Sequence, residues 1–297
     1  MYHYVRDAGA TPFPDIKAIS VADFRQQVRQ VKERFATPPL EACIEFLEGS
    51  WAPADDICLL TFDDGLDEHH ATVAEVLTDA GLPGAFFLPT AAIDEHVMLA
   101  VHMNHFLLAA LGTAELFIRL KSAASAADVE LPAHPTVDAV RRTYRWDDDQ
   151  TAQLKYLVNH QLPLEVSERL LTHVFTDTLG STEEFARSLY IDWEQARAMQ
   201  AAGFHMGGHT HLHKSLSNMA ESHQEWDLSY SMDLLRNNLG EGTRGFAYPY
   251  GKPATYTTST IGYLNESGYA CAFNTTVDDG RPGTSRWEIP RIDPKDL

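Results

Sequence analysis

Residues 57–65 read Ile-Cys-Leu-Leu-Thr-Phe-Asp-Asp-Gly, an apolar run that ends in two adjacent carboxylates. The run predicts a short buried strand. Apolar residues at helical spacing follow it from 73 to 80, and Gly81 and Pro83 then predict the end of that helix. A second apolar run over 84–88 predicts the next strand. Strand, helix and strand in this order predict a parallel pair joined by a right-handed crossover.

The same rhythm returns in the last third of the chain. Asp192 offers an N-cap with Gln195 as its capping-box partner, so a helix is predicted to start there. Strands are predicted at 204–206, 245–248 and 269–273, with helices between them over 226–239 and around 261–264. Trp226, Tyr230 and Leu234 would form the apolar stripe of the first of these helices. Closed into a ring, such α/β units make a barrel whose chemistry lies at the carboxyl ends of its strands.

The stretch between residues 91 and 203 breaks this rhythm, because it contains no convincing strand. It shows helical patches instead, at 97–111, 114–127, 154–158 and 164–175. We interpret residues 94–190 as a mostly helical insertion within a single domain that spans residues 1–297. Helices with apolar faces must pack on something, so the insertion would form a lid over the barrel mouth or the surface of a homodimer.

The charge and composition of the chain limit the classes of binding partner that it can have. The formal net charge of −19 repels phosphate backbones and anionic lipids, so binding to nucleic acid or to a membrane surface is not expected. A neutral ligand suits this charge better than a strongly polyanionic one does. No apolar run approaches the roughly 18 residues of a membrane span. Residues 1–6 lack the basic-then-apolar pattern of a secretion signal, so a cytoplasmic location is expected.

The first group of candidate site residues is the pair Asp63 and Asp64 at the end of a predicted strand. Two adjacent carboxylates repel each other, and a nearby cation would relieve this repulsion and hold both of them ionised. Gly65 allows the chain to turn sharply at this point. An Asp-Asp-Gly turn on the surface is the competing interpretation.

The second group is His209-Thr210-His211-Leu212-His213, which also follows a predicted strand. His209 and His213 are four residues apart, so both imidazoles can point the same way, as metal ligands often do. Two histidines and one carboxylate with open positions are typical of a catalytic metal site. We interpret His205 and His211 as surface or core residues.

The third group is Tyr248-Pro249-Tyr250-Gly251, again after a predicted strand. Pro249 stiffens this turn, and the backbone N–H of Tyr250 could face a developing oxyanion, although a plain turn would have the same sequence. Arg291 stands between two apolar residues near the C-terminus and could orient a buried carboxylate. An exposed arginine on the last strand is an equally good interpretation.

These pieces, taken in order, resemble the polysaccharide deacetylase family, also called the NodB-homology or carbohydrate esterase 4 family. Its first motif, T-F-D-D-G, is matched in full at 61–65, and its second, H-[S/T]-x-x-H, is matched in full at 209–213. Its third, R-x-P-Y-G, is matched in part at 247–251. The resemblance implies a distorted (β/α)7-type barrel, here with a large mostly helical insertion.

The resemblance also implies roles for the motif residues. Asp63 would be the general base, and Asp64, His209 and His213 would hold a divalent metal ion, usually Zn²⁺. The backbone of Tyr250 would help to form the oxyanion hole, and its neighbours Tyr248 and Pro249 would contact the substrate.

The chain departs from the family pattern at two functions. The arginine of the third motif is replaced by Ala247, and we expect Arg291 to take its place beside Asp63. The family motif that carries the acid histidine is not recognisable. His3 is the first candidate for the general acid, and four other histidines remain open, namely His69, His70, His102 and His105.

The expected activity is therefore metal-dependent hydrolysis of the acetamide of an N-acetylated amino sugar. Two alternatives remain open. The same site could hydrolyse a non-sugar amide, such as a formamide or a cyclic imide or ureide, because a fold does not determine its substrate. The barrel could also bind glycan without catalysing any reaction.

Overall fold

The computed structural model describes residues 1–133, 135–141, 143–144 and 146–296. Five short parallel strands form one sheet in sequential order, and they are β1 (Leu60–Asp63), β2 (Gly84–Leu88), β3 (His205–Gly208), β4 (Gly245–Ala247) and β5 (Cys271–Phe273). Each strand is paired with the next strand along the chain. All five carboxyl ends therefore meet at the same edge of the sheet.

Two further segments extend the sheet into a ring. Tyr2 bridges Phe62 of β1, and Ile289 bridges Phe273 of β5, both in parallel. The nitrogen of Met1 donates a hydrogen bond to the carbonyl oxygen of Ile292 at 2.8 Å, so the two outer segments are neighbours. Seven chain segments thus surround one interior, and the predicted class, a distorted (β/α)7-type barrel with helical insertion, is confirmed.

The alternation of side chains along β2 separates the two faces of this curled sheet. Ala85 and Phe87 belong to a small inner cluster of buried residues, while Phe86 and Leu88 belong to the large outer cluster that includes the helices. The inner face is tightly packed, since a Cβ at Gly207 of β3 would lie 2.4 Å from the carbonyl oxygen of Gly245. The barrel interior is therefore a core, and its carboxyl end is left for chemistry.

The helices account for most of the remaining described chain. They are α1 (Val21–Arg34), α2 (Leu40–Leu47), α3 (Ala74–Ala80), α4 (Thr90–Asp94), α5 (Ala100–Ala126), α6 (Val137–Arg141), α7 (Asp149–Tyr156), α8 (Leu164–Leu179), α9 (Thr182–Leu189), α10 (Trp193–Ala201), α11 (Glu221–Leu239) and α12 (Thr258–Ser267). π-Helical turns cover His69–Val73 and Leu157–Gln161. No helix in the described part of the chain is both long and apolar enough to cross a membrane.

Two predictions about individual helices have different outcomes. The capping box of Asp192 and Gln195 at the start of α10 is confirmed. The apolar stripe predicted on α11 is wrong, because Trp226 is 47% exposed and the buried face carries Asp227, Leu228, Ser231 and Leu235. Two polar residues with hydrogen-bond partners lie on that buried face, and a search for apolar residues alone cannot identify it.

The described residues fall into two compact units. The barrel unit contains residues 1–7, 18–97 and 187–297, and the helical unit contains residues 8–17 and 98–186. In the helical unit α5 kinks at Gly112, where the predicted helical patches 97–111 and 114–127 are divided. Rings of Phe13, Phe106, Phe175 and Phe185 form its aromatic core. The interpretation of residues 94–190 as an insertion within one domain stays a prediction.

Candidate metal centre and active site

The three motif loops follow β1, β3 and β4, and each contains strained backbone. Asp64, Thr210, His213 and Tyr250 all have positive φ, between 53° and 81°. These four are a majority of the non-glycine residues with positive φ in the described chain, the others being His96 and Asp128. Such backbone costs free energy and persists where the surroundings enforce it, often at functional sites.

Asp64, His209 and His213 form a buried cluster with the donor atoms of a metal site. Their ligating atoms all lie within 4.8 Å of one another. The carboxylate Oδ1 of Asp64 is 3.4 Å from Nε2 of His209 and 3.2 Å from Nε2 of His213. The structure therefore brings together the three residues predicted as metal ligands.

The imidazole of His209 and the backbone of His213 are each held by a neighbouring group. Nδ1 of His209 donates a hydrogen bond to the carbonyl oxygen of Ala247 at 2.6 Å, so Nε2 is the atom that faces Asp64. The backbone N–H of His213 donates to Oγ1 of Thr210 at 2.8 Å. Burial lowers the pKa of His209, but the hydrogen bond with Asp64 and the nearby carboxylates outweigh it and raise that pKa.

The carboxylate of Asp227 supports this turn from α11. Its two oxygens accept the backbone N–H groups of His211, at 2.8 Å, and Leu212, at 3.0 Å. Burial raises the pKa of Asp227 to about 6, although these two N–H groups oppose the shift. Sequence reasoning missed this residue, and the signal that could have found it is a carboxylate on the buried 3–4 spacing of α11.

Asp63 lies at the end of β1 in a bidentate ion pair with Arg291. Nη1 and Nη2 of Arg291 each donate to one carboxylate oxygen at 2.7 Å, and both side chains are almost fully buried. Burial raises the pKa of Asp63, but the charge of Arg291, followed by that of His209, outweighs it and lowers the pKa to about 2. Asp63 is therefore held as a carboxylate.

The guanidinium of Arg291 is itself held in place. Its Nε donates to the carbonyl oxygen of Asn274 at 3.2 Å, and its Nη1 lies 3.4 Å from Oγ1 of Thr61. The rings of Phe87 and Phe273 each lie 5.8 Å from its central carbon. The structure thus places Arg291 next to Asp63, as expected from the loss of arginine at position 247.

The imidazole of His3 reaches the same carboxylates from the first segment of the ring. Its Nε2 lies 3.9 Å from Oδ2 of Asp63 and 4.0 Å from Oδ2 of Asp64, and its side chain is 44% exposed. The other candidates for the general acid are placed differently. His69 is completely buried, and burial lowers its pKa. His70 contacts Gln195, and His102 and His105 belong to the helical unit.

The third-motif loop is rigid, and two of its side chains face the core. Tyr248 and Pro249 are buried, and the Tyr248 hydroxyl donates to the carbonyl oxygen of Trp287 at 3.0 Å. Tyr250 has φ 63° and its ring centroid lies 5.5 Å from that of His213. A Cβ at Gly251 would lie 2.3 Å from Cγ2 of Thr275, so this position requires glycine. Substrate contacts of Tyr248 and Pro249 stay a prediction.

The cluster of Asp64, His209 and His213 fits a divalent cation. Two imidazoles and one carboxylate form the donor set of catalytic zinc sites, which keep a fourth position for water or substrate. A ligating histidine usually donates its other ring N–H to a carbonyl or carboxylate, as His209 does to Ala247. The donor set and the orientation of His209 are thus suited to holding a divalent metal ion.

Comparison with known proteins agrees with this geometry. Residues 149–272 match the family model described as polysaccharide deacetylase. The matched segment contains the second and third motifs, at 209–213 and 247–251. It begins after the first motif, which lies at 61–65. No curated protein sequence matches the chain.

Solved structures share the fold over almost the whole chain, and two of the three described here are named as deacetylases. IcaB from Ammonifex degensii is 20% identical, with a TM-score of 0.58, over 99% of this chain and 90% of that one. PplD from Streptococcus pyogenes, solved in complex with acetate, is 16% identical, with a TM-score of 0.59, over 99% and 91%. The deacetylase domain of BpsB from Bordetella bronchiseptica is 16% identical, with a TM-score of 0.57, over 98% and 92%. The resemblance of this chain to the polysaccharide deacetylase family, first seen in its motifs, is therefore confirmed by the family match and by the fold.

Proposed function

We propose that this protein hydrolyses the acetamide of an N-acetylated amino sugar and releases acetate, with a divalent cation, Zn²⁺, as its cofactor. The observation that carries the proposal is the position of the buried Asp64–His209–His213 cluster beside the Asp63–Arg291 ion pair. One group can hold a cation, and the other presents a carboxylate that stays ionised.

The metal ion would supply Lewis acidity at the acetyl oxygen and a bound water of lowered pKa. Asp63 accepts a proton from the attacking water molecule as the water oxygen bonds to the acetyl carbon. Arg291 keeps the Asp63 carboxylate ionised and fixes its orientation through two hydrogen bonds.

The remaining steps are assigned to one backbone donor and one side-chain donor. The N–H of Tyr250 stabilises the negative charge that develops on the acetyl oxygen. His3 donates a proton to the sugar nitrogen as the carbon–nitrogen bond breaks, so that acetate and a free amine leave. His3 suits this role because its imidazole lies near both carboxylates and is exposed to an incoming substrate.

The family match supports a saccharide as the substrate class. Two of the similar structures are named as a deacetylase and a deacetylase domain, which supports removal of an acetyl group. The net charge of −19 favours a neutral sugar over a polyanionic one. The predicted cytoplasmic location favours a precursor saccharide as the substrate. The predicted homodimer through the helical unit is tested by measuring the molecular mass of the protein in solution.

Acetate release from a panel of N-acetylated amino sugars tests the proposal. The panel contains free, nucleotide-linked and oligomeric forms, each assayed with chelator, after chelator removal, and with added Zn²⁺. We expect release that chelator abolishes and Zn²⁺ restores. A formamide and a cyclic ureide serve as controls.

The outcomes separate the three interpretations of the sequence. Turnover of the control amides without turnover of any acetylated sugar would replace the proposed substrate class. Binding of sugar by metal-loaded protein without any acetate release would favour the inactive barrel. Calorimetric titration of the metal-free protein with Zn²⁺ checks the cation independently of activity, and one tight site per chain is expected.

A further inference from the structure

The buried histidine that follows the first motif is not accounted for by the proposed chemistry. His69 begins a π-helical turn, is 0% exposed, and places Nε2 3.0 Å from the backbone carbonyl oxygen of His3. A carbonyl oxygen can only accept, so Nε2 carries the proton in this bond. His69 therefore contacts the residue that we assign as the proton donor.

The other ring nitrogen shows that this imidazole is an unfavourable choice for the core. Nδ1 of His69 is buried and has no hydrogen-bond partner among the described residues. Burying a polar atom without a partner destabilises a protein, and an apolar side chain of similar volume would avoid that cost. The bond to His3 is what distinguishes a histidine from a leucine at this position.

A second connection lies one residue earlier. Glu68 receives two hydrogen bonds from the guanidinium of Arg6, at 2.7 Å from Nε and 2.5 Å from Nη2. Glu68 and Arg6 are both largely buried, and bidentate pairs of this kind fix geometry as well as distance. His69, the first residue of the π-helical turn, and Glu68, its N-cap, therefore hold residues 3 and 6 of the first segment.

The position of the His3 imidazole depends on how the backbone of His3 is held, because the imidazole makes no hydrogen bond to Asp63 or Asp64. Its Nε2 lies 3.9 Å and 4.0 Å from the two carboxylates, beyond the range of a hydrogen bond. Backbone bonds on either side hold Tyr2, to Thr61 and Asp63, and Tyr4, to Ile19. The bond from His69 is the one that acts on the carbonyl of His3.

We propose that His69 is a positioning residue for the proton donor: its N–H fixes the peptide of His3, with Glu68 and Arg6 as a second tether, so that the His3 imidazole faces the leaving nitrogen. This inference rests on the proposed function. Its physical basis is that proton transfer requires the donor within hydrogen-bond reach of the reacting atom, and small displacements are costly.

Kinetics of His69→Leu and His69→Gln on two substrates test the inference. The first substrate is the N-acetylated sugar that the wild-type protein turns over, whose amine must be protonated to leave. The second is 4-nitrophenyl acetate, whose leaving group needs no proton. Val73→Ala is the matched control, because Val73 is buried in the same π-helical turn and has no polar group.

We expect His69→Leu to lower kcat on the sugar amide by about 10- to 100-fold with little change in KM, and to spare the ester. His69→Gln keeps an N–H near the position of Nε2 and should restore most of the amide activity. Val73→Ala should change both substrates by the same factor. Glu68→Gln, which keeps the shape of the second tether and loses its charge, should show a weaker form of the same selectivity.

Equal losses on amide and ester in His69→Leu, or amide turnover like that of the wild type, would overturn the inference. If His69→Leu fails to fold, the amide-to-ester ratio of Glu68→Gln decides in the same way. A wild-type protein that releases no acetate contradicts the proposed function instead, so the two failures are distinguishable.

Discussion

The two halves of the candidate site differ in how they are assembled. The metal half consists of residues from two short motifs, namely Asp64, His209 and His213. The proton-transfer half consists of residues from three distant parts of the chain, namely His3, Asp63 and Arg291. Both halves meet at the carboxyl end of β1, where Asp63 and Asp64 are adjacent.

This difference explains why the metal half keeps the family motifs in full, whereas the proton-transfer half keeps only Asp63 of them. In the metal half, the spacing of His209 and His213 is set by one turn, so the motif must be kept as a unit. In the proton-transfer half, any segment of the ring that reaches Asp63 can supply the arginine. Here Arg291 reaches Asp63 from the segment beside β5. Ala247, which stands at the arginine position of the motif, contributes its backbone carbonyl oxygen as the acceptor for His209.

Loss of a metal ligand should have the largest effect. We expect His213→Ala to lose the bound Zn²⁺ and to lower activity by far more than the about 10- to 100-fold that loss of an outer partner costs. Metal content after dialysis and acetate release both measure this. His223→Ala, at an exposed position of α11, should match the wild type in both assays. Retention of stoichiometric zinc by His213→Ala would remove that residue from the metal half.

Replacement of the base should separate the two halves. Asp63→Asn is expected to retain zinc and to lower kcat by about 10²- to 10⁴-fold, because an amide cannot accept the proton. Asp79→Asn, at an exposed position of α3, is the control and should be fully active. Full activity of Asp63→Asn would show that the base lies elsewhere.

Loss of Arg291 should affect stability as well as rate. Arg291→Met leaves the Asp63 carboxylate buried without its partner, and breaking a buried pair in this way costs about 3–5 kcal/mol. Chemical denaturation of the metal-free protein measures the free energy of unfolding. Arg286→Met breaks a half-exposed pair with Glu48 and should cost at most about 1 kcal/mol. Similar values for the two variants would contradict the importance of the Asp63–Arg291 pair.

The support of the metal half by α11 should give the smallest effect of the four. Asp227→Asn replaces one of the two acceptors of the His211 and Leu212 N–H groups by a donor. We expect zinc affinity to fall by about 10- to 100-fold, as for other outer partners of metal ligands. Asp233→Asn, on the exposed side of the same helix, should leave the affinity unchanged. An unchanged affinity in Asp227→Asn would mean that the turn holds itself.

The parts of the fold that depend on local sequence were predictable. β2 has the predicted bounds, 84–88, because an apolar run between turn residues determines a buried strand. Each of the two motifs of the metal half is equally local, and their three residues lie together because β1 and β3 end at the same edge of the sheet. The kink of α5 at Gly112 falls between two predicted helical patches.

The parts that depend on distant contacts were not predictable from the pattern alone. The buried face of α11 includes Asp227, whose carboxylate accepts a hydrogen bond from a loop residue 15 positions away along the chain. A pattern of apolar residues does not reveal such a bond. The role of His69 depends likewise on the carbonyl of a residue 66 positions away. For Arg291 the sequence left two interpretations open, a partner of a buried carboxylate or an exposed arginine, because its partner Asp63 is 228 residues away along the chain.

The closure of the ring by its first and last segments also has a consequence for biosynthesis. All three residues of the metal half are translated well before Arg291, and a domain generally folds as a unit. Until Arg291 arrives, the carboxylate of Asp63 lacks its bidentate ion-pair partner. The barrel can therefore close stably around Asp63 only after residue 291 has been synthesised, which makes the ion pair a late step in the folding of the barrel unit.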